Sequence, residues 1–267
     1  MRADATGLRR FDRVYVLNLP ERADRRREVE VQLRRFGLSL AAEPVRLFRA
    51  VRPAEAGPFP SIGSRGCFMS HLGMLREAAR DGLGSVLILE DDLDFAPDAE
   101  ARLPALLASL WTHDWALFYG GYELPDGLPG EAGGAAADGP DGAAAGAVHA
   151  PQGPGLRELA SSVPVRTTHF IALRGAAIGE AARFLEAVAA RPPGDPAGGP
   201  MHVDGAYTWL RRTHPALRTW IAVPELGHQR PSRTDIHVLR WYDRWPGVRE
   251  LAQWARRVSR GRVRAVR

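Results

Sequence analysis

The chain has 267 residues, 45% of them hydrophobic and 25% charged, with a single cysteine. That composition describes a globular chain with one sizeable core, and it excludes a disordered protein, a disulfide-stapled scaffold and, since no apolar run approaches ~18 residues, a helical membrane protein. The net charge of +5 invites a nucleic-acid reading, but residues 256–267 hold six arginines and no acid, so the tail carries +6 and leaves −1 for residues 1–255, too little for a basic groove across the body.

The first elements follow the pattern of an α/β domain. VYVLN, residues 14–18, reads as a buried strand, and its four apolar residues before polar ones resume are too few for a signal-peptide core. With one cysteine, a cytoplasmic setting is expected. ADRRREVEVQLRRFG then reads as a helix, with Val29, Leu33 and Phe36 at helical spacing and Gly37 as a suitable C′ residue. Between strand and helix lie Arg22, Arg25, Arg26 and Arg27. Arg22 and Arg25, nearest the strand's carboxyl end, are placed to grip a phosphate or a nucleobase, whereas Arg26 and Arg27 fit a solvated helix face as well.

GSRGCFMS, residues 63–70, leads into a second helix whose stripe is Phe68, Leu72, Leu75 and Ala79, ended by Asp81 and Gly82. Ser70 and His71 fall in its first turns, and a lone histidine there reads as a hydrogen-bonded structural residue, with nothing nearby to complete a zinc set. SVLILEDDLDF, residues 85–95, is the most informative stretch. Val86 to Leu89 read as a strand buried on both faces, and Glu90, Asp91, Asp92 and Asp94 crowd its carboxyl end. An extended chain would point Glu90, Asp92 and Asp94 one way and Asp91 the other. Three carboxylates at one spot repel unless a positive charge sits among them, and oxygen ligands suit a hard divalent cation, Mg²⁺ or Mn²⁺. The alternative is a solvated helix start at Pro97 and Asp98.

Residues 99–110 are expected to form a helix and WALFYGGY, residues 115–122, a strand whose glycine pair lets a ligand or another backbone come close. A Gly/Ala/Pro-rich insert, residues 125–157, is expected as a mobile surface loop or a lid. TTHFIAL gives a further strand, residues 175–190 an alanine-rich helix, and Asp204 opens another helix. Residues 220–223 form a strand followed by a polar loop with His228, Gln229, Ser232 and Asp235. His228 reads as a structural histidine, with a metal or phosphate contact as the alternative. After Pro246 a helix with Val248, Leu251, Trp254 and Val258 on one side is expected.

The series NLPERADRR, GCFMSH, LILEDD, HDWALFYGG, THFIALRGAA, HVDGAYTWL and SRTDI, in that order over about residues 13–237, resembles glycosyltransferase family 25, which includes bacterial lipopolysaccharide sugar transferases and collagen galactosyltransferases. The resemblance implies a single GT-A-type, Rossmann-like α/β domain, residues 12–240, with a mostly parallel central sheet, followed by a basic amphipathic tail, residues 241–267. It implies metal-dependent transfer of a hexose, galactose favoured, from a UDP-sugar to a glycan or lipid-linked saccharide acceptor with inversion. Its acidic signature falls on Glu90, Asp91 and Asp92, its small-residue helix signature on Gly66, Cys67, Ser70 and His71, and its arginines on Arg22 and Arg25. Its later aspartate falls on Asp204. Ser64 and Arg65 stand where such proteins commonly have a Glu and an aliphatic residue.

The expected site therefore has Glu90, Asp92 and Asp94 holding Mn²⁺ or Mg²⁺ against the departing diphosphate, and Arg22, Arg25, Ser70 and Asp91 on the donor. Asp204 is the expected base for the acceptor hydroxyl, with helix capping as its alternative role. The arginine tail would touch an anionic membrane face, and no nucleic-acid partner is expected. The rival readings are an inactive transferase-like binding protein and a metal-dependent phosphoesterase.

Overall fold

The structure is a computed structural model that describes residues 7–125, 127 and 155–230. Most of the insert, Ser232, Asp235, the expected helix after Pro246 and the arginine tail lie outside the described residues. Among the described residues no helix is long and apolar enough to cross a membrane.

The expected α/β order is observed. β1 (Arg13–Asn18) leads to α1 (Ala23–Arg35), then β2 (Val45–Arg49), α2 (Ile62–Arg80), β3 (Ser85–Glu90), β4 (Leu93–Phe95) and α3 (Ala99–Leu110). β5 (Leu117–Glu123), β6 (Gly155–Leu159), β7 (Arg166–Arg174), α4 (Ala176–Ala190), α5 (Val203–Thr213), β8 (Thr219–Val223) and β9 (Gly227–Gln229) complete the set. Seven strands form one sheet in the order β2-β1-β3-β7-β5-β8-β6. Its pairings are parallel for β1 with β2, β1 with β3 and β5 with β8, and antiparallel around β7 and β6. Five strands thus run one way and β7 and β6 the other, which gives a mostly parallel mixed sheet.

Apolar runs become buried strands because both faces of the sheet are covered. Tyr15, Leu17, Val86 and Ile88 pack in a core layer with residues of α2, α4 and α5. Val14, Val16, Leu87 and Leu89 pack in a second layer with residues of α1 and α3. Successive residues of β1 and β3 alternate between the two layers, as a period of two requires.

Several expectations are corrected. β2 has a single buried residue, Val45, because it is an edge strand, so its sequence lacks an apolar run. α2 starts at Ile62 with Ser61 as its cap, so Ser70 and His71 sit in mid-helix, and Ala78 rather than Ala79 is buried. The glycine pair of β5 lets another backbone come close, one of its two expected uses. A Cβ on Gly120 would stand 2.6 Å from the Phe170 ring, and one on Gly121 would stand 2.6 Å from the Gly227 carbonyl of β9.

All of the expected site elements meet at one end of this sheet. The carboxyl ends of β1, β3, β5 and β8 point there, and so does the start of antiparallel β7, since Leu89 is in register with Phe170. That is where open α/β sheets bind ligands.

Candidate active site

The acidic run does not stay extended. β3 ends at Glu90, the chain turns at Asp91 and Asp92, and β4 joins β9 in a separate antiparallel ribbon with Asp94 opposite His228. Alternation is lost at the turn, so the expected trio of Glu90, Asp92 and Asp94 does not form. Asp94 is instead gripped by Arg230, whose Nη2 lies 2.6 Å from Oδ1, and it accepts from Gln32 Nε2 at 3.3 Å. Arg230 also pairs with Glu28. Asp94 is therefore corrected from metal ligand to ribbon ion pair.

Asp91 and Asp92 are both buried, and both touch Arg25. Its Nη1 donates to Asp91 Oδ1 at 3.0 Å and to Asp92 Oδ2 at 3.3 Å. Asp91 Oδ2 takes a 2.6 Å bond from Asn18 Nδ2 at the end of β1. The positive charge expected among the acids is thus the protein's own. Arg25 and Asp91 form an internal pair at the turn. Arg22 folds onto exposed Asp24 at 2.8 Å, holding that carboxyl well below its usual range through the hydrogen bond. A pair with one exposed partner contributes little to stability.

Burial pushes Asp92 up to about 7, helped by the Glu90 charge and opposed by Arg25. Its Oδ2 also accepts from Gln229 Nε2 at 3.2 Å, while Oδ1 is buried without a hydrogen-bond partner among the described residues. Glu90 turns the other way, toward β7 and α2. Thr168 Oγ1 donates to Glu90 Oε1 at 2.7 Å, and His71 Nε2 stands 3.7 Å from the same oxygen. Burial alone would raise Glu90, but the His71 ring and Thr168 hold it below its usual value.

Ser70 is engaged within the scaffold. Its hydroxyl donates to Gly66 O at 2.6 Å and accepts from Val51 N at 2.8 Å, which fastens α2 to the segment after β2. Its expected donor role is corrected to that of a structural bridge.

Asp204 lies one residue inside α5, behind the capping position of His202. Its Oδ2 accepts from the Thr167 backbone N–H at 3.3 Å and its Oδ1 from Gly205 N at 2.8 Å. Thr167 and Thr168 are neighbours in β7, so adjacent residues hold Asp204 and Glu90. Among the described residues Thr167 is the one non-glycine residue with positive φ, at 68°. A β-branched residue there is strained, and such strain collects at functional sites. Its Oγ1 is buried and unpaired among the described residues, as are His71 Nε2, His169 Nδ1 and Asn18 Oδ1. Buried polar atoms rarely lack partners, and these four lie near one sheet end together with Asp92 Oδ1.

Sequence reasoning missed Thr167, Thr168, His169, Tyr207 and the partners of Cys67. Only the histidine and cysteine types carried any signal, because threonines and tyrosines in apolar runs read as core. His228 is exposed on β9, near enough to His169 to act on it electrostatically.

A hard cation fits part of this donor set. Asp92 Oδ1 offers a buried lone pair, and the Glu90 charge lies near enough to raise Asp92, though its Oε1 is engaged by Thr168. Asp94 does not fit.

No family model matches the chain. It is 33% identical over 127 residues to procollagen galactosyltransferase 1 of Danio rerio, covering 41% of this chain and 21% of that protein. It is 28% identical over 146 residues to inactive glycosyltransferase 25 family member 3 of Homo sapiens, covering 45% and 24%. The chain thus spans about a fifth to a quarter of the length of these curated relatives, which are family 25 proteins. Among solved structures it is similar to a glycosyltransferase involved in the glycosylation of the major capsid of PBCV-1, at 12% identity and a TM-score of 0.37, over 83% of this chain and 94% of that one.

Proposed function

We propose that the chain is a glycosyltransferase that moves a hexose, galactose favoured, from a UDP-sugar to a saccharide acceptor with inversion. The observation that carries this reading is the buried Asp92 carboxylate with an unpaired oxygen, beside Glu90, at the carboxyl end of a central strand. The galactosyltransferase names of relatives support the reaction class.

Asp92, with Glu90 beside it, would hold Mn²⁺ or Mg²⁺. When bound, that ion supplies positive charge to a departing diphosphate. The remaining work falls to the protein's own groups. Arg25 bridges Asp91 and one oxygen of Asp92, so a cation would meet less than the full negative charge of Glu90, Asp91 and Asp92, and the turn keeps its shape. Arg22, which pairs with exposed Asp24 near the end of β1, would contact a phosphate of the donor. Asp204 takes the proton of the acceptor hydroxyl, and the strained N–H of Thr167 aims its Oδ2.

The reading is tested by calorimetric titration of UDP, GDP and ADP with Mn²⁺ and with chelator. UDP is expected to bind at least about tenfold more tightly with Mn²⁺ than without, a difference of about 1.4 kcal/mol. Equal affinity in the two conditions would remove the metal from the account. Tight metal-dependent binding without turnover would identify an inactive binding protein, a state that the names of some relatives describe for those proteins.

A further inference from the structure

Cys67 and His71 lie four residues apart in α2, and residues at that spacing share a helix face. Their face meets the end of β3. Cys67 Sγ, a ring nitrogen of His71 and a carboxylate oxygen of Glu90 lie within 4.8 Å of one another. His71 is fully buried, and its Nδ1 stands 3.3 Å from the Tyr207 hydroxyl. Its Nε2 has no hydrogen-bond partner among the described residues and points toward Glu90 Oε1 at 3.7 Å.

With Nδ1–H donating to Tyr207 Oη, Nε2 has a lone pair for a metal; with Nδ1 accepting, Nε2–H faces Glu90. A thiol, an imidazole and a carboxylate thus meet at one partly buried place. These are ligand types that a single divalent ion engages together once the thiol has lost its proton. We propose that Cys67, His71 and Glu90 form a site for a borderline-soft divalent transition ion of the Zn²⁺ class, separate from the Asp92 oxygen offered to a hard cation.

The donor types decide the class of ion. Thiolate and imidazole suit Zn²⁺, while Mg²⁺ and Mn²⁺ prefer all-oxygen sets. Zn²⁺ bonds are about 2.0 to 2.3 Å long, so ligand atoms converge to somewhat under the present separations through small rotations of Cys67 and Glu90. Outer partners are in place as well. Tyr207 holds the distal nitrogen of His71 and Thr168 holds Glu90, the arrangement that orients metal ligands and raises their basicity. Three protein ligands leave one position for water. Binding turns the Cys67 thiol into a thiolate and releases its proton to solvent. The ion would tie α2 to the carboxyl end of β3.

The test is a Co²⁺ titration of the full, chelator-stripped chain, followed by Zn²⁺. A thiolate-to-cobalt charge-transfer band in the near ultraviolet should saturate at one equivalent, resist excess Mg²⁺ and disappear on adding Zn²⁺. Cys67 is the chain's only cysteine, so the band should be absent in Cys67→Ser. Tyr207→Phe, which keeps all three ligands, should weaken Co²⁺ binding by about 10- to 100-fold. A wild-type titration with no such band overturns the proposal. So does a band that persists in Cys67→Ser, or one whose affinity is unchanged in both His71→Gln and Tyr207→Phe. The readout is independent of sugar transfer, so an inactive chain can still carry the site, and an active one can lack it.

Discussion

Asp92→Asn is expected to lose transfer by about 10²- to 10³-fold, the scale of removing one group that stabilises charge in the transition state. Its fold should become more stable at the same time. Burial raises the Asp92 carboxyl to about 7. In the unfolded chain it titrates near 3.9, as an ordinary aspartate does. Between those values the folded state holds a proton that the unfolded state has lost. Wild-type stability therefore falls as pH rises through this window, and the full cost of the buried charge is present above the folded value. Asparagine cannot ionise and still offers an acceptor to Arg25 and Gln229. In metal-free buffer, urea unfolding should find the variant more stable than wild type at about pH 8, by on the order of 1 to 4 kcal/mol, with the difference gone near pH 4. A variant destabilised equally at both pH values would show that Arg25 keeps Asp92 as a settled anion, and that no cation is needed there.

Asp204→Asn should separate chemistry from binding. General-base catalysis contributes about 10²- to 10⁴-fold, so transfer should drop by that factor while the UDP-sugar binds within about threefold of wild type with Mn²⁺. Asparagine keeps one acceptor oxygen, so only one of the bonds from Thr167 N and Gly205 N is left to lose, at about 1 kcal/mol. A nearly silent substitution would mean that Asp204 merely anchors the strained Thr167 backbone. Parallel loss of affinity and turnover would move Asp204 to the donor sugar.

Much of the scaffold was legible because its signals are local. VYVLN and SVLILE are uninterrupted apolar runs, and runs of that kind become strands covered on both faces. α3 and α4 follow the expected 99–110 and 175–190 closely. β2 was not legible, since an edge strand keeps charges on its open side, and VRLFR carries two arginines. The gathering of Glu90, Asp91, Asp92, Arg25 and Asp204 at one sheet end followed from strand order. The direction of each side chain did not. One turn at Asp91 and Asp92 sends Asp94 to Arg230, whose partnership spans 136 residues of sequence. Ser70 shows the same limit, since nothing in GCFMSH announces that its hydroxyl is consumed by Gly66 and Val51. His71 was read as structural, and the structure gives it Tyr207 on one nitrogen while its other nitrogen faces Cys67 and Glu90. That pairing depends on α5 returning over α2, which no local pattern records.

The most direct measurement incubates the full chain with Mn²⁺, a saccharide acceptor and a panel of nucleotide-sugars, and follows both released nucleotide and acceptor mass. The account predicts release of nucleoside diphosphate from one donor, UDP-galactose first, matched by an acceptor heavier by one hexose, and loss of both signals in Asp92→Asn. Release of nucleoside monophosphate or phosphate without a heavier acceptor would contradict it, because the same acids would then be activating water for phosphoester cleavage.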